Sequence, residues 1–257
     1  MARFRVLQFN IQFGQVWDDI WPDRAPVRLE AAMEEIRRQE ADLVILQEVE
    51  RALLDGEQAN PPPNYTRLRH EFGDYDGWFS YPRPDPRELP FGIGLAILSR
   101  TPLTHQVRHD LASPPIEFNF FGRRTTPTDR LLIGARTVIA GRELQVFNTH
   151  LLAFFMLGAD GELRTEQRRE VAALAGQSTL PTLVAGDFNV SNHRALIADF
   201  AAQGFQTVQD REITWRRRPY VLDHIFHRAG LAVRAHRVVP TPASDHHALV
   251  ADFEWVG

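Results

Sequence analysis

The 257-residue chain contains neither cysteine nor lysine. Without cysteine there is no disulfide, no thiolate nucleophile and no sulfur ligand, so any metal site is left to His, Asp, Glu and Asn. All 29 basic side chains are therefore arginines, a bias read as coding preference rather than as selection for bidentate anion binding. With 33 acidic residues, a net charge of -4 and a pI near 6.2, the chain lacks the global basic field that dominates non-specific nucleic-acid binding. A local groove can still be basic on an acidic protein. No apolar run approaches the roughly 20 residues that span a bilayer. The opening "MARFRVLQFN" has no apolar signal core and no small-residue cleavage pattern, which makes a first strand and a cytoplasmic location the expectation.

What is present is a large apolar fraction, 44%, ample for a sizeable core in one domain over residues 1–257. "FRVLQFNIQF" alternates Val6, Gln8 and Asn10 against Leu7, Phe9 and Ile11 and reads as a strand ending near Asn10. "RAPVRLEAAMEEIRRQEA" carries apolar residues at helical spacing. "DLVILQEV" is an apolar strand ending in Gln47-Glu48. The proline-dense "NPPPNYTRLRH" and "YPRPDPRELP" read as loops around a strand "GWFSY", "GIGLAILS" as a further strand, and "SPPIEFNFFGRRTTPTDR" as a second loop-rich insertion. "LLIGARTVIA" and "LQVFNTHL", joined at Gly141-Arg142, form a hairpin. A charged amphipathic helix over 161–175, the strand "TLVAG", a short helix in "HRALIADFAAQG" and three last strands, "VLDHIFH", "LAVRAHRVV" and "HALVADFEW", complete the pattern. Strands and helices intermix around a tight hairpin, so the sheets are expected to be mixed rather than parallel.

Polar groups recur where these strands stop. Asn10, Glu48, His150, Asp187 with Asn189, Asp223, and Asp245-His246 each sit at or beside the end of an apolar segment. Each alone has an ordinary structural reading: a surface acid, a turn residue, or, for Asp187, a cap for the helix starting near Asn192. Strand alternation sends Asp187 and Asn189 one way and Phe188 back into the core, which aims two polar groups at one spot.

"FNIQFG", "ILQEV", "FNTHL", "AGDFN", "LDHIF" and "SDHHALV", in this order, resemble the endonuclease/exonuclease/phosphatase superfamily, which includes deoxyribonucleases, abasic-site endonucleases, neutral sphingomyelinases and inositol-polyphosphate phosphatases. The resemblance covers about the whole chain. It implies a four-layer α/β sandwich, two packed mixed β-sheets flanked by helices, and a metal-dependent phosphoesterase. By the same resemblance Glu48, the amide oxygen of Asn10 and Asp245 hold Mg²⁺, or Mn²⁺ in its place, since such ions prefer hard oxygen ligands. The His-rich "SDHH" leaves zinc as the alternative. Asp187 orients or deprotonates the attacking water, Asn189 holds it or a phosphoryl oxygen, His246 donates to the phosphate with Asp223 as its partner, and His150 is a second donor. Abasic-site endonucleases carry an acid where this chain has Gln12, and "NTHL" belongs to the deoxyribonuclease and sphingomyelinase branches.

Substrate stays open between a small or lipid phosphodiester, which is favoured, and a nucleic acid, with an inactive binding module as a third reading. The aromatic segments 116–122 and 151–158 are either core or an apolar lip that makes transient contact with a membrane surface. Arg123-Arg124 and Arg216-Arg217-Arg218 are either solvated or phosphate-binding. A monomer with a phosphoester as its one partner is the expectation.

Overall fold

The computed structural model describes residues 2–120, 122–159 and 161–256. The strands in chain order are β1 (Arg3–Asn10), β2 (Leu43–Gln47), β3 (Glu50–Arg51), β4 (Asp76–Ser80), β5 (Gly92–Ile93), β6 (Leu95–Ser99), β7 (Thr104–Leu111) and β8 (Phe118–Phe120). They continue as β9 (Arg123–Thr125), β10 (Arg130–Ile139), β11 (Arg142–His150), β12 (Thr182–Asp187), β13 (Gln206–Thr207), β14 (Asp223–Arg228), β15 (Leu231–Val239) and β16 (Ala248–Trp255). The helices are α1 (Leu29–Gln39), α2 (Pro63–Glu71), α3 (Glu166–Gly176) and α4 (His193–Ala201).

Two six-stranded sheets carry the fold, ordered β15-β16-β1-β2-β6-β4 and β13-β14-β12-β11-β10-β7. Each is mixed: β1 with β2 in the first, and β11 with β12 in the second, are parallel neighbours. Alternation dictates how they pack. Odd-numbered positions of β2 (Leu43, Ile45) and even ones of β1 (Phe4, Val6) meet Val146, Leu183, Ala185 and Ile225 of the second sheet in the central core. The opposite faces carry Leu7, Phe9, Val44 and Leu46 under α1 and α2, and Val184, Phe188 and Phe226 under α3 and α4. The result is the expected four-layer α/β sandwich.

Three local readings change. "NPPPNYTRLRH" is not all loop, because Pro63 occupies the first turn of α2, where a missing N–H is harmless, and Leu68 then seats fully buried under the first sheet. "GIGLAILS" is two strands rather than one, broken at Gly94, whose φ of +84° has no place in a ladder. The loop-rich insertion contains the small β8–β9 hairpin, and Phe121 of its aromatic segment lies outside the described residues. β7, an exposed edge strand, carries no clear alternation in "THQVRHDL". The β10–β11 hairpin forms as expected, turning through Ala140 and Gly141, both at positive φ.

Candidate active site

All the polar strand ends converge on one edge of the sandwich. β1 and β2 run parallel and finish there together, Asn10 opposite Gln47. β11 and β12 finish there as well, His150 opposite Asp187. β14 runs the other way and so starts at this edge, placing Asp223 opposite Asp187. His246 arrives on the segment leading into β16, which is antiparallel to β1.

Asp187 is the hub, and it is almost completely buried. Its Oδ2 accepts from Asn10 Nδ2 at 3.1 Å and lies 3.6 Å from His150 Nε2 and 3.5 Å from His246 Nε2. The same Asn10 amide donates to Glu48 Oε1 at 3.0 Å, and Asn10 Oδ1 is taken by the Gln12 N–H at 3.1 Å. Glu48 and Asn189 stand at φ +49° and +51°, a conformation that non-glycine residues adopt under local constraint and that clusters at functional sites. That turn, rather than strand alternation, brings Asn189 back beside Asp187. Its N–H donates to Asp187 Oδ1 at 3.0 Å, and its Nδ2 reaches His150 Nε2 at 2.9 Å and the Leu151 carbonyl at 3.0 Å. Phe188 points back into the core as expected. Asp187 is not a helix cap, since Asn192 accepts from the Ala195 N–H and caps α4 itself.

Glycines make the closeness possible. A Cβ on Gly92 would lie 2.1 Å from Glu48 Oε2, and one on Gly186 would lie 2.1 Å from the Thr149 carbonyl oxygen. Neither position tolerates a side chain without moving the site.

The electrostatics follow from burying like charges together. Burial and the Asp245 charge push the Glu48 carboxyl up to about 7, against the Asn10 amide, His246 and Arg130. Asp187 is held well above the carboxylate range, first by burial and then by Asp223 and Glu48, despite His246 and Asn10. Burial disfavours a charge on His246, yet Asp223, Asp187 and Asp245 outweigh it and raise the imidazole well above its usual range. His150 moves the other way, lowered by burial and by Arg130 and His246. An amide N–H that donates to Nε2 and a neighbouring arginine thus favour a neutral His150 whose Nε2 accepts in this arrangement, where a second donor was expected.

The donor set fits a hard cation. The nearest ligand atoms of Glu48, Asp187 and His150 lie within 4.8 Å of one another, and two mutually repelling buried carboxylates are stabilised by a divalent charge. Asn10 can add its oxygen only by turning its amide over, which forfeits the bond from Gln12 N–H. Asp245 has one carboxylate oxygen, Oδ2, committed to Arg217 Nε at 2.7 Å and Trp215 Nε1 at 3.3 Å, leaving Oδ1. Gln12 Oε1 accepts from the Asp245 N–H at 3.2 Å. The "SDHH" pair does not form a zinc set: among the described residues His246 is grouped with Asp187 and Asp223 and His247 with none.

The arginine runs are structural in part. Arg217 bridges Asp245 and Asp23, Arg216 holds the Thr241 carbonyl at 2.7 Å, and both lie over the Trp17 ring. Arg124 pairs with Glu117. Of the aromatic segments, Leu151, Leu152 and Phe154 are core, whereas Met156 is 59% exposed and Phe155 packs on Trp215 and Tyr220 beside the site. Phe91, next to Gly92, meets Phe120 edge-on and is 47% exposed. β4 ends at this same edge, two strands from β2, and next to it lies a cleft of about 730 Å³ bounded by Phe79, Tyr81, Asp55 and Arg108.

Two features were not read from the sequence. Arg130, whose charge bears on both Glu48 and His150, precedes the hairpin in an unremarkable "TDR". Gln8, Gln47 and Asn148 are fully buried behind the site, and the only signal for them was polar type on the inward-facing half of three apolar strands.

A family model described as the endonuclease/exonuclease/phosphatase family matches residues 7–246. A UPF0294 protein of Yersinia pseudotuberculosis is 35% identical over 119 residues, 44% of each chain, so this chain spans less than half the length of that curated relative in alignment. Among solved structures, an endonuclease/exonuclease/phosphatase of Beutenbergia cavernae superposes with a TM-score of 0.74 at 21% identity, covering 100% of this chain and 72% of that one. A mannosyl-6-phosphatase of Bacteroides thetaiotaomicron gives 0.69 at 16% identity over 98% and 100%.

Proposed function

The chain belongs to the endonuclease/exonuclease/phosphatase family, a family of metal-dependent phosphoester hydrolases, and within it we propose a phosphodiesterase in which a water attacks phosphorus directly. One observation carries the reading: Asp187 Oδ2 stands within 3.6 Å of both His150 Nε2 and His246 Nε2. A carboxylate set between two imidazoles supports attack by a water on a phosphate bound there.

Glu48, Asp245 through its uncommitted Oδ1, and Asn10 once its amide turns over would hold Mg²⁺ or Mn²⁺, which supplies charge neutralisation to the phosphoryl oxygens when bound. Asp187, poised high by burial, orients the water and takes its proton. Asn189 positions that water through its side-chain oxygen, its Nδ2 being spent on His150 and Leu151. His246 keeps Nδ1–H on Asp223 Oδ2 at 2.7 Å, so Nε2–H is free to donate to the phosphate or the leaving oxygen. Arg130 adds a cation on the His150 side. Preorganised donors of this kind stabilise charge that develops in the transition state.

For substrate, the exposed Phe91, Met156 and Leu163 near or flanking the site, together with the acidic pI, support a small or lipid phosphodiester over nucleic acid. A panel with Mg²⁺ covering bis-p-nitrophenyl phosphate, sphingomyelin, inositol phosphates, mannose 6-phosphate and plasmid DNA tests this. Hydrolysis of bis-p-nitrophenyl phosphate and sphingomyelin ahead of the inositol phosphates, mannose 6-phosphate and the plasmid is the expected result. Plasmid cleavage that dominates and falls steeply with salt overturns it in favour of a nuclease.

A further inference from the structure

Behind the site, a line of amides crosses from one sheet to the other. On the inward faces of β1, β2, β11 and β14 the apolar residues Val6, Ile45, Val146 and Ile225 give way, two positions nearer the site, to Gln8, Gln47, Asn148 and Asp223. All four are fully buried.

The polarity of this line is set by the backbone. Asn148 Nδ2 donates to the carbonyls of Leu46 at 2.8 Å and Ala96 at 3.0 Å, both in the opposite sheet. Turning that amide over would press its oxygen against two carbonyl oxygens, so Asn148 Oδ1 must face Gln47. Gln47 Nε2 donates to it at 2.7 Å, which leaves Gln47 Oε1 for Gln8. Gln8 Nε2 then donates both hydrogens, to Gln47 Oε1 and to Asp223 Oδ1, each at 2.7 Å. A donor is thus delivered to one oxygen of Asp223 by a chain whose direction is decided at β2 and β6.

An N–H arriving at Oδ1 requires an acceptor there, and Asp223 Oδ2 already receives His246 Nδ1 at 2.7 Å. Both oxygens of Asp223 are thereby held, Oδ1 by the Gln8 amide and Oδ2 by the His246 ring, which leaves the carboxyl group one orientation. We infer that Gln8, Gln47 and Asn148 are positioning residues that fix the rotation of the Asp223 carboxyl group and, through it, the ring of His246, aiming Nε2 at the phosphate from across the inter-sheet core. The inference rests on the phosphodiesterase reading for its kinetic consequence, though not for its spectroscopic one.

The test is Gln8→Met, which keeps length and volume and removes both N–H groups. In the metal-supplemented enzyme kcat should fall by about 10- to 100-fold, the range seen when partners that orient a site residue are removed, with KM within about twofold. The hydrogen-bonded Nδ1–H proton resonance of His246, identified by its loss in His246→Gln, should disappear or move. Gln47→Met should move it less, and it decides the matter if Gln8→Met does not fold. A folded Gln8→Met or Gln47→Met enzyme with kcat within twofold and that resonance unmoved overturns the inference and leaves the amides a purely structural filling. A wild type that hydrolyses no phosphoester overturns the reaction instead, and the resonance, which needs no substrate, still judges the chain.

Discussion

His150 and His246 face the same carboxylate oxygen from the two sides of the site, 3.6 and 3.5 Å away, and are driven to opposite protonation states. His246 leans on Asp223 at 2.7 Å and has acids on three sides. The acid nearest His150 apart from Asp187 is Glu48 at 3.8 Å, while an amide N–H at 2.9 Å and Arg130 occupy its surroundings. Both rings are withdrawn from solvent, yet the acids around His246 favour its charged form and the Asn189 amide with Arg130 the neutral form of His150. The partner, not the imidazole, sets the role.

The comparison breaks most completely when the shared oxygen's charge is removed. Asp187→Asn preserves shape but abolishes the base, and kcat should fall by about 10²- to 10⁴-fold. Because this carboxyl is held high by burial among like charges, the thermal midpoint should stay level or rise. A rate within threefold of wild type together with a lower midpoint assigns Asp187 to structure instead.

A sharper and smaller effect separates the two histidines by pH. His246 has a raised pKa, so activity that needs its proton is full below that value and is lost as pH climbs through it. Asp223→Asn removes the largest charge that raises it, and the alkaline limb of the kcat profile should move to lower pH by about one to three units. His150→Gln, whose side-chain oxygen can still accept from Asn189, should leave that limb where it is. An alkaline limb indifferent to Asp223 means that another group supplies the acid.

The smallest effect lies just beyond the site. Asn192→Ala removes the cap of α4 and should lower stability by about 1 kcal/mol in denaturant titration with kcat within twofold. A large loss of rate there would extend the catalytic region past Asn189.

The sandwich was legible because apolar alternation and strand-end polarity are local signals. Asn10, Glu48, Asp187, Asn189, Asp223 and His246 all meet where their motifs suggested. Asp245 sits beside them but already bound to Arg217, a partnership that joins residues 28 positions apart and leaves no local trace. The partners of His150 were hidden for the same reason, since Asn189 and Arg130 reach it only through the fold. α2 was hidden by its prolines, which speak for loops until one of them sits at a helix start.

Gly92 ends a long irregular stretch, and the missing side chain there is what lets the chain pass Glu48. Between the cleft beside Tyr81 and the exposed ring of Phe91 the chain is otherwise held chiefly at the buried Glu88, which accepts from the Thr128 hydroxyl. In evolutionary terms the segment is pinned at Glu88 and at its last residue and free between them: its sequence can be rewritten there while Glu48 stays where it is. New specificity can arise on this frame without reopening the problem of how to hydrolyse the phosphate.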